Sequence, residues 1–446
     1  MSFKFAPDSV LYRPEFEFGA ATAAFQIEGA RHRDGKSDSI WDTFCATPGK
    51  VANGDTGDIA CQHYERWPED FELISQLNLD CYRLSISWPR IIPQPDGKVN
   101  PAGLAFYREQ LEALKRLGIK ANVTLYHWDL PQYLEDRGGW LNRETAYKFA
   151  EYAAVVTQEL GELVDSFTTF NEPLCSAFLG YRIGIHAPGV KDDRCGFQAV
   201  HHLLLAHGLA LPKMRANAPH AKHGIVLNFS PAYPLKPSDE AAVVIADAED
   251  THWFIQPLLE GTYPELMRQL RPQWWPLILP GDLALIHQPL DFIGINYYTR
   301  RVVTSDPETL YRWVKLDDVE RTAMGWEVYP EGLSDLLLAL HQRYSLPPVI
   351  ITENGMASDD QVIDGKVNDQ QRCDYFQSHL QAVDHAVRQG VPVCAYYAWS
   401  LMDNFEWSFG YDKRFGLIHV DYQTQQRTIK QSGLQFAQFL AQRKGL

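Results

Sequence analysis

No stretch of about eighteen consecutive apolar residues occurs in the 446-residue chain, so a helical membrane span is not expected. Met1–Val10 holds no apolar run of signal-peptide length, and the expected compartment is the cytoplasm. Cysteine is scarce. The seven residues (Cys45, Cys61, Cys81, Cys175, Cys195, Cys373 and Cys394) are odd in number and contain no Cys-x-x-Cys pair, which argues against a disulfide framework or a zinc ribbon. Positive charge is also in deficit: 41 Lys and Arg face 56 Asp and Glu, for a net charge of −15. Basic residues come at most in pairs such as Arg300-Arg301, so neither nucleic acid nor an anionic membrane is an expected partner. A Gly-x-Ser-x-Gly elbow and a phosphate-cradling glycine loop are both missing, and no metal or organic cofactor is expected. There is no linker, low-complexity tract or repeat. A single domain over 1–446 is the reading, and a homo-oligomer is as compatible with it as a monomer.

What is present is a regular alternation. Eight short apolar runs, rich in β-branched and aromatic residues, read as buried parallel strands: Phe16–Gln26, Cys81–Trp88, Ala121–Trp128, Ser166–Glu172, Gly224–Ser230, Phe292–Tyr298, Val349–Glu353 and Val393–Ser400. Segments between them carry helical spacing. Leu104, Arg108, Leu111, Leu114 and Leu117 lead to Gly118; Ala146, Ala150, Ala153, Val156 and Leu160 lead to Gly161; Cys373, Phe376, Leu380, Val383 and Val387 lead to Gly390. Eight strands alternating with helices predict an α/β fold, a (β/α)8 TIM barrel. Four long connections follow strands, at 27–64, 173–194, 299–329 and 401–423. They leave the C-terminal strand ends, where barrel active sites sit, and are expected to wall a deep pocket.

Polar and aromatic residues gather at those strand ends: Gln26, Arg83, Trp88, His127, Trp128, Asn171, Glu172, Asn296, Tyr298, Glu353 and Trp399. Two glutamates matter most, because glutamate is a poor strand residue. Alone, Glu172 is a strand end before Pro173, and Glu353 precedes an Asn354-Gly355 turn. Together, on the fourth and seventh strands and read as opposite sides of the barrel, they are the carboxyl pair that glycoside hydrolysis needs. A lone His127 is more often structural and a lone Trp128 more often core; their placement beside the other groups reverses that. His201, His202 and His207 lie on one helix without metal-ligand spacing and read as structural. The excess of Trp and Tyr suits sugar faces.

These residues fall in motifs. Phe16–Ala30 (FEFGAATAAFQIEGA), Tyr82–Trp88 (YRLSISW), Tyr126–Pro131 (YHWDLP), Thr169–Pro173 (TFNEP), Val349–Gly355 (VIITENG) and Asn404–Trp407 (NFEW) occur in this order. Over about Tyr12 to Lys444 the chain resembles glycoside hydrolase family 1, the β-glucosidase family. The resemblance implies a retaining β-glycosidase acting on small β-glucosides and cello-oligosaccharides, with β-galactoside and β-fucoside activity alongside. It implies Glu172 as acid/base and Glu353 as nucleophile, supported by Arg83 and Tyr298. Gln26, His127, Asn171, Glu406 and Trp407 would bind sugar hydroxyls, Trp399 would floor the ring, and Phe415 would line the pocket. Trp128 and Asn296 would join them, and Trp326 would form the leaving-group platform. A cis peptide between Trp399 and Ser400 is implied as well.

On this reading Arg83 keeps Glu353 ionised, and the charge of Glu353 raises the pKa of Glu172. Three positions depart from the commonest family pattern: Leu174 where Trp is usual, Asp412 for Ser, and Met402 for Leu. Leu174 and Cys175 leave the leaving-group preference open. A 6-phospho-β-glycosidase is the alternative enzyme. Glu406 disfavours it, because a carboxylate repels a phosphate dianion, while Lys413 nearby favours it. A non-catalytic sugar binder is the alternative of another class, and the presence of both glutamates speaks against it.

Overall fold

A computed structural model describes residues 2–445. Eight parallel strands close into a barrel: β1 Glu17–Ala21, β2 Cys81–Ser85, β3 Lys120–Tyr126, β4 Ser166–Asn171, β5 Lys222–Phe229, β6 Phe292–Tyr297, β7 Val349–Asn354 and β8 Val393–Trp399. Each strand pairs with its sequence neighbour, and β1 closes the ring against β8, with Ala21 beside Trp399. β4 and β7 are separated by β5 and β6, so they stand three places apart around the ring and not diametrically opposed.

The helices follow from their caps and stripes. Pro101–Leu117 begins with the Asn100 side chain accepting from the Ala102 amide, has Pro at its first position, and ends at Gly118 in the left-handed region at φ 71°. Its buried Phe106, Leu111 and Leu114 face the barrel. Gln370–Arg388 is likewise followed by a left-handed Gly390. Gly161 differs: its φ is −56°, and the helix Glu144–Leu160 runs on into a short 3-10 turn.

Most strands stop one or two residues before their apolar runs do, and two stop much earlier. β1 stops at Ala21, and Gln26 lies on a short helix, Ala24–Ile27. β2 stops at Ser85, and Trp88 opens the helix Trp88–Ile91, where it stacks on Tyr152 in the core at 4.9 Å. Apolar composition alone does not mark where a buried strand turns into a buried helix. The long connections are not structureless. The first contains the helix Ile40–Ala46, fixed by a Ser39–Asp42 capping box. The second is a π-helical segment, Cys175–Ile183. The third carries the antiparallel pair Arg301–Asp306 and Leu310–Val314.

Candidate active site

The C-terminal strand ends open into a cavity of about 530 Å3. His127, Trp128, Glu172, Tyr298, Trp326, Glu353, Trp399, Glu406, Trp407 and Phe415 line it. Its floor is buried: Glu172, Glu353 and Trp399 are only 3–4% exposed. Its mouth is formed by Ile185, Trp313 and Phe409, all exposed. Connections two, three and four wall it. The first contributes no lining residue. It stands behind the wall, with Trp41 packed on Trp407 at 4.6 Å.

Glu353 is the penultimate residue of β7, and the chain turns sharply after Asn354. Asn354 holds that turn: its Nδ2 donates to the Tyr297 carbonyl at 2.7 Å, and its Oδ1 accepts from the Tyr396 hydroxyl at 2.6 Å. Gly355 follows because the Trp399 backbone passes so close that an added Cβ would overlap the Trp399 carbonyl oxygen. The Trp399–Ser400 peptide is cis, as the resemblance implied. The carboxylate of Glu353 is held at both oxygens. The Arg83 guanidinium donates to Oε1 at 2.6 Å, and the Tyr298 hydroxyl donates to Oε2 at 2.6 Å. Arg83 reaches it from β2 and is fully buried.

Glu172 follows β4 with φ of 48°, its amide bonded to Val226 of β5 at 2.9 Å. Trp128 (φ 79°) and Trp407 (φ 49°) share this left-handed backbone. Strained residues of this kind cost roughly 1–3 kcal/mol each and gather where a side chain must be aimed. Glu172 Oε1 accepts from Asn296 Nδ2 at 2.6 Å. That amide is oriented by Thr352, whose hydroxyl donates to Asn296 Oδ1 at 2.6 Å. The nitrogen is thereby turned toward Glu172 and toward Asn171 Oδ1, 3.1 Å away. Asn171 Oδ1 also accepts from Arg83 at 2.8 Å. Arg83, Asn171 and Asn296 thus connect the two carboxyl groups from beneath.

The two environments differ. Burial pushes both carboxyl groups up from the usual range. At Glu353 the Arg83 charge and the Tyr298 hydroxyl oppose the push. At Glu172 no cation touches the carboxyl. Burial and, second to it, the negative charge of Glu353 raise it to about 8. Glu353 therefore ionises first. The expectation needs correction on two counts. Burial, not the Glu353 charge, is the larger cause at Glu172, and Arg83 restrains the rise at Glu353 without reversing it. Glu406 is raised to about 8 too, by burial first and then by the charges of Glu353 and Glu172.

The other groups fall into two layers. Gln26, Asn171 and Asn296 are not part of the cavity wall; they stand directly behind it. Gln26 donates to Asn404 Oδ1 at 3.0 Å and to the Phe405 carbonyl at 2.8 Å, beside Glu406. Its Oε1 has no partner among the described residues, and neither do Glu406 Oε2 and His127 Nδ1. His127 Nε2 meets Asn171 Nδ2 at 3.2 Å, which leaves the proton on Nδ1. Burial holds its pKa well below the usual value, so the ring is neutral. Uncommitted buried polar atoms of this kind are what hydroxyl groups of a sugar would satisfy. Trp128 sends its indole N–H to the Asn171 carbonyl at 2.9 Å and packs on Trp407 at 4.5 Å. Trp399 lies parallel to the His127 ring at 5.8 Å, and Tyr298, Trp326 and Phe415 form an aromatic corner in the same packed cluster as Trp399.

Lys413 is turned away. It donates to the Ala323 carbonyl at 2.9 Å and takes no part in the cavity wall, so nothing cationic stands beside Glu406 there. His201, His202 and His207 are spent on structure: His201 bridges Tyr263 and Asp282, His202 bonds the Trp140 carbonyl, and His207 bonds Thr169. Sequence reading missed Thr352, Asn228, Ser230 and Trp313. Asn228 lies on β5 and Ser230 just beyond it, and their position near a strand end was the available signal.

A family model, Glycosyl hydrolase family 1, matches residues 9–445. The chain belongs to this family. It is 44% identical over 433 residues to beta-glucosidase A of Acetivibrio thermocellus, covering 95% of this chain and 97% of that relative. It is 43% identical over 458 residues to a bifunctional beta-D-glucosidase/beta-D-fucosidase of Bifidobacterium breve, covering 97% and 99%. Among solved structures, a beta-glucosidase from Thermotoga maritima in complex with glucoimidazole superposes with a TM-score of 0.94 at 44% identity, covering 97% of this chain and 99% of that one. Its closed eight-stranded barrel is the fold of this structural relative.

Proposed function

We infer that the protein is a retaining β-glucosidase that removes terminal β-glucosyl residues by double displacement. The observation that carries this reading is the pair of buried carboxyl groups sharing one cavity, one ion-paired with Arg83 and the other bonded only to neutral partners. The ionised Glu353 attacks the anomeric carbon of the sugar as the bond to the leaving oxygen breaks. Glu172, still protonated, gives its proton to that oxygen. The glycosyl ester formed on Glu353 carries no charge, so one of the two causes holding Glu172 up disappears. Glu172 then takes a proton from water, which attacks the same carbon from the opposite face and returns Glu353 as a carboxylate. Retention follows from two inversions.

The ring lies on Trp399, with His127 and Glu406 on its hydroxyl groups and Gln26 behind Glu406. Glu406 favours an unphosphorylated sugar, because its buried carboxyl occupies the place a phosphate would need and no cation stands beside it to hold the dianion. The Bifidobacterium breve relative supports β-fucosides as further substrates, and β-galactosides join them on the same hydroxyl-reading groups. Buried floor and exposed mouth suit the ends of cello-oligosaccharides and support a late role in cellulose degradation. Its free cysteines suit a reducing compartment, the cytoplasm.

The test is a panel of nitrophenyl β-glucoside, β-galactoside, β-fucoside and 6-phospho-β-glucoside. The glucoside should be cleaved with retention and with higher kcat/KM than its 6-phosphate. Preference for the phosphate would overturn the substrate assignment, and no turnover of any of the four would overturn the enzyme reading.

A further inference from the structure

The net charge of −15 and the ionised Glu353 on the cavity floor would repel an anionic substrate there. The outer wall is different. Four of its residues are basic, Arg300, Arg301, Lys315 and Arg321, against one carboxylate, Glu327. Glu327 is committed to Arg300 through two bonds of 2.9 and 3.0 Å. Arg321 bonds only backbone carbonyl groups, of Gly325 and Leu316, and pairs with no carboxylate among the described residues. Lys315 is exposed and makes no hydrogen bond or ion pair among the described residues. Arg301 pairs with Asp250 at 3.2 Å and lies over the Trp313 ring at 4.4 Å. Leu174, Leu179, Val302, Val314 and Met324 give the wall a largely apolar lining, with Asn228, Ser230 and Thr299 as its neutral polar groups. The cavity is thus acidic at its floor, apolar midway and basic at its rim.

We propose that the leaving-group end of the cavity is built for an aromatic aglycone bearing a carboxylate, with Arg301, Lys315 and Arg321 as the groups that select it. This rests on the β-glucosidase reading and names the substrate class of that same site. The aromatic ring fits the apolar middle, and the carboxylate meets the basic rim, on the side away from Glu406. An anion on the non-reducing sugar would face the floor carboxylates instead.

The experiment compares 4-(2-carboxyethyl)phenyl β-glucoside with its 2-carbamoylethyl counterpart. Two methylene groups insulate the phenolic oxygen, so the two leaving groups depart alike. At low salt kcat/KM should favour the carboxylate by about fivefold, falling below about twofold at roughly 0.5 M NaCl as the rim charge is screened. Lys315→Gln and Arg301→Gln should each lower the low-salt ratio. Lys315 is exposed and unpaired, so its variant folds even if the Arg301 variant does not. A ratio of one or less at low salt overturns the proposal. So does a preference that neither salt nor either substitution changes. Hydrolysis of the carboxamide in any of these outcomes leaves the β-glucosidase reading standing, and failure to cleave either compound would remove that reading first.

Discussion

The two carboxyl groups proposed as acid/base and nucleophile differ by what touches them, and that difference can be titrated. Glu172 is raised to about 8 by burial and by Glu353, so general-acid function should be present below about pH 8 and fade above it. Glu172→Gln should abolish the basic limb of kcat/KM on substrates whose leaving groups need no proton; a basic limb that persists would belong to another residue. Arg83→Met removes the cation at 2.6 Å from Glu353 and leaves a buried charge unpaired, which costs about 3–5 kcal/mol. The acidic limb should therefore move to higher pH by one unit or more, with kcat/KM down at least about 100-fold. An acidic limb that stays in place would mean that Arg83 does not hold the nucleophile ionised.

The carboxyl group of Glu406 also has a stability consequence. A carboxyl raised in the folded state binds its proton more tightly than in the unfolded chain. Its ionisation therefore destabilises the fold as pH rises from the ordinary value of 4.5 toward 8. Glu406→Gln should raise Tm at pH 8 by on the order of 1–2 °C relative to its effect at pH 5, while lowering activity. Thermal melts at the two pH values check it, and an advantage larger at pH 5 would contradict the sign.

At the scale of elements, the strand ends are aimed by contacts between neighbouring strands. Thr352 on β7 fixes the amide of Asn296 on β6, which in turn fixes Glu172 beyond β4. Thr352→Val keeps the shape and removes the hydroxyl, so the amide is free to turn over. Activity should fall about tenfold with little change in stability, and unchanged kcat/KM would show that the amide is held otherwise. Gly355→Ala is a packing test. An added methyl meets the Trp399 backbone and forces β7 or the cis turn to shift, costing about 1–3 kcal/mol by denaturant melt. The eight strands were legible because each is a short, apolar, β-branched run bounded by helical spacing. Gln26 and Trp88 were set on strands because the apolar run continues into a buried helix in both places. The Glu-Asn-Gly turn could be read as a turn. The reason for its glycine could not, since the crowding atom belongs to β8, more than forty residues away.

For the whole molecule, the closed barrel brings groups from distant positions to one cavity, and the sequence marked most of them by their place at strand ends. Thr352 stayed hidden because a threonine within a strand is unremarkable until its partner, 56 residues earlier, is seen beside it. The rim charges stayed hidden because Arg300-Arg301 gains its meaning only when the Leu310–Val314 strand brings Trp313, and Lys315 just beyond it, alongside. The chain's overall negative charge hid this basic rim. The barrel also sets the spacing of the two carboxyl groups. Retention requires about 5–5.5 Å between them, whereas an inverting enzyme keeps about 6.5–9.5 Å for its water. A crystal structure with a bound sugar analogue checks that spacing.

The central claim is the division of labour between Glu353 and Glu172, and product stereochemistry tests it most directly. Glu353→Gly removes the nucleophile and opens space on the α face of the sugar. Azide should then attack an activated β-glucoside once, giving the α-glucosyl azide. Glu172→Gly leaves the nucleophile in place, so an activated substrate still forms the covalent intermediate, and azide entering on the β face should give the β-glucosyl azide. The account predicts this pairing of variant and product, read by NMR of the isolated azides. The reverse pairing would exchange the two roles and contradict it.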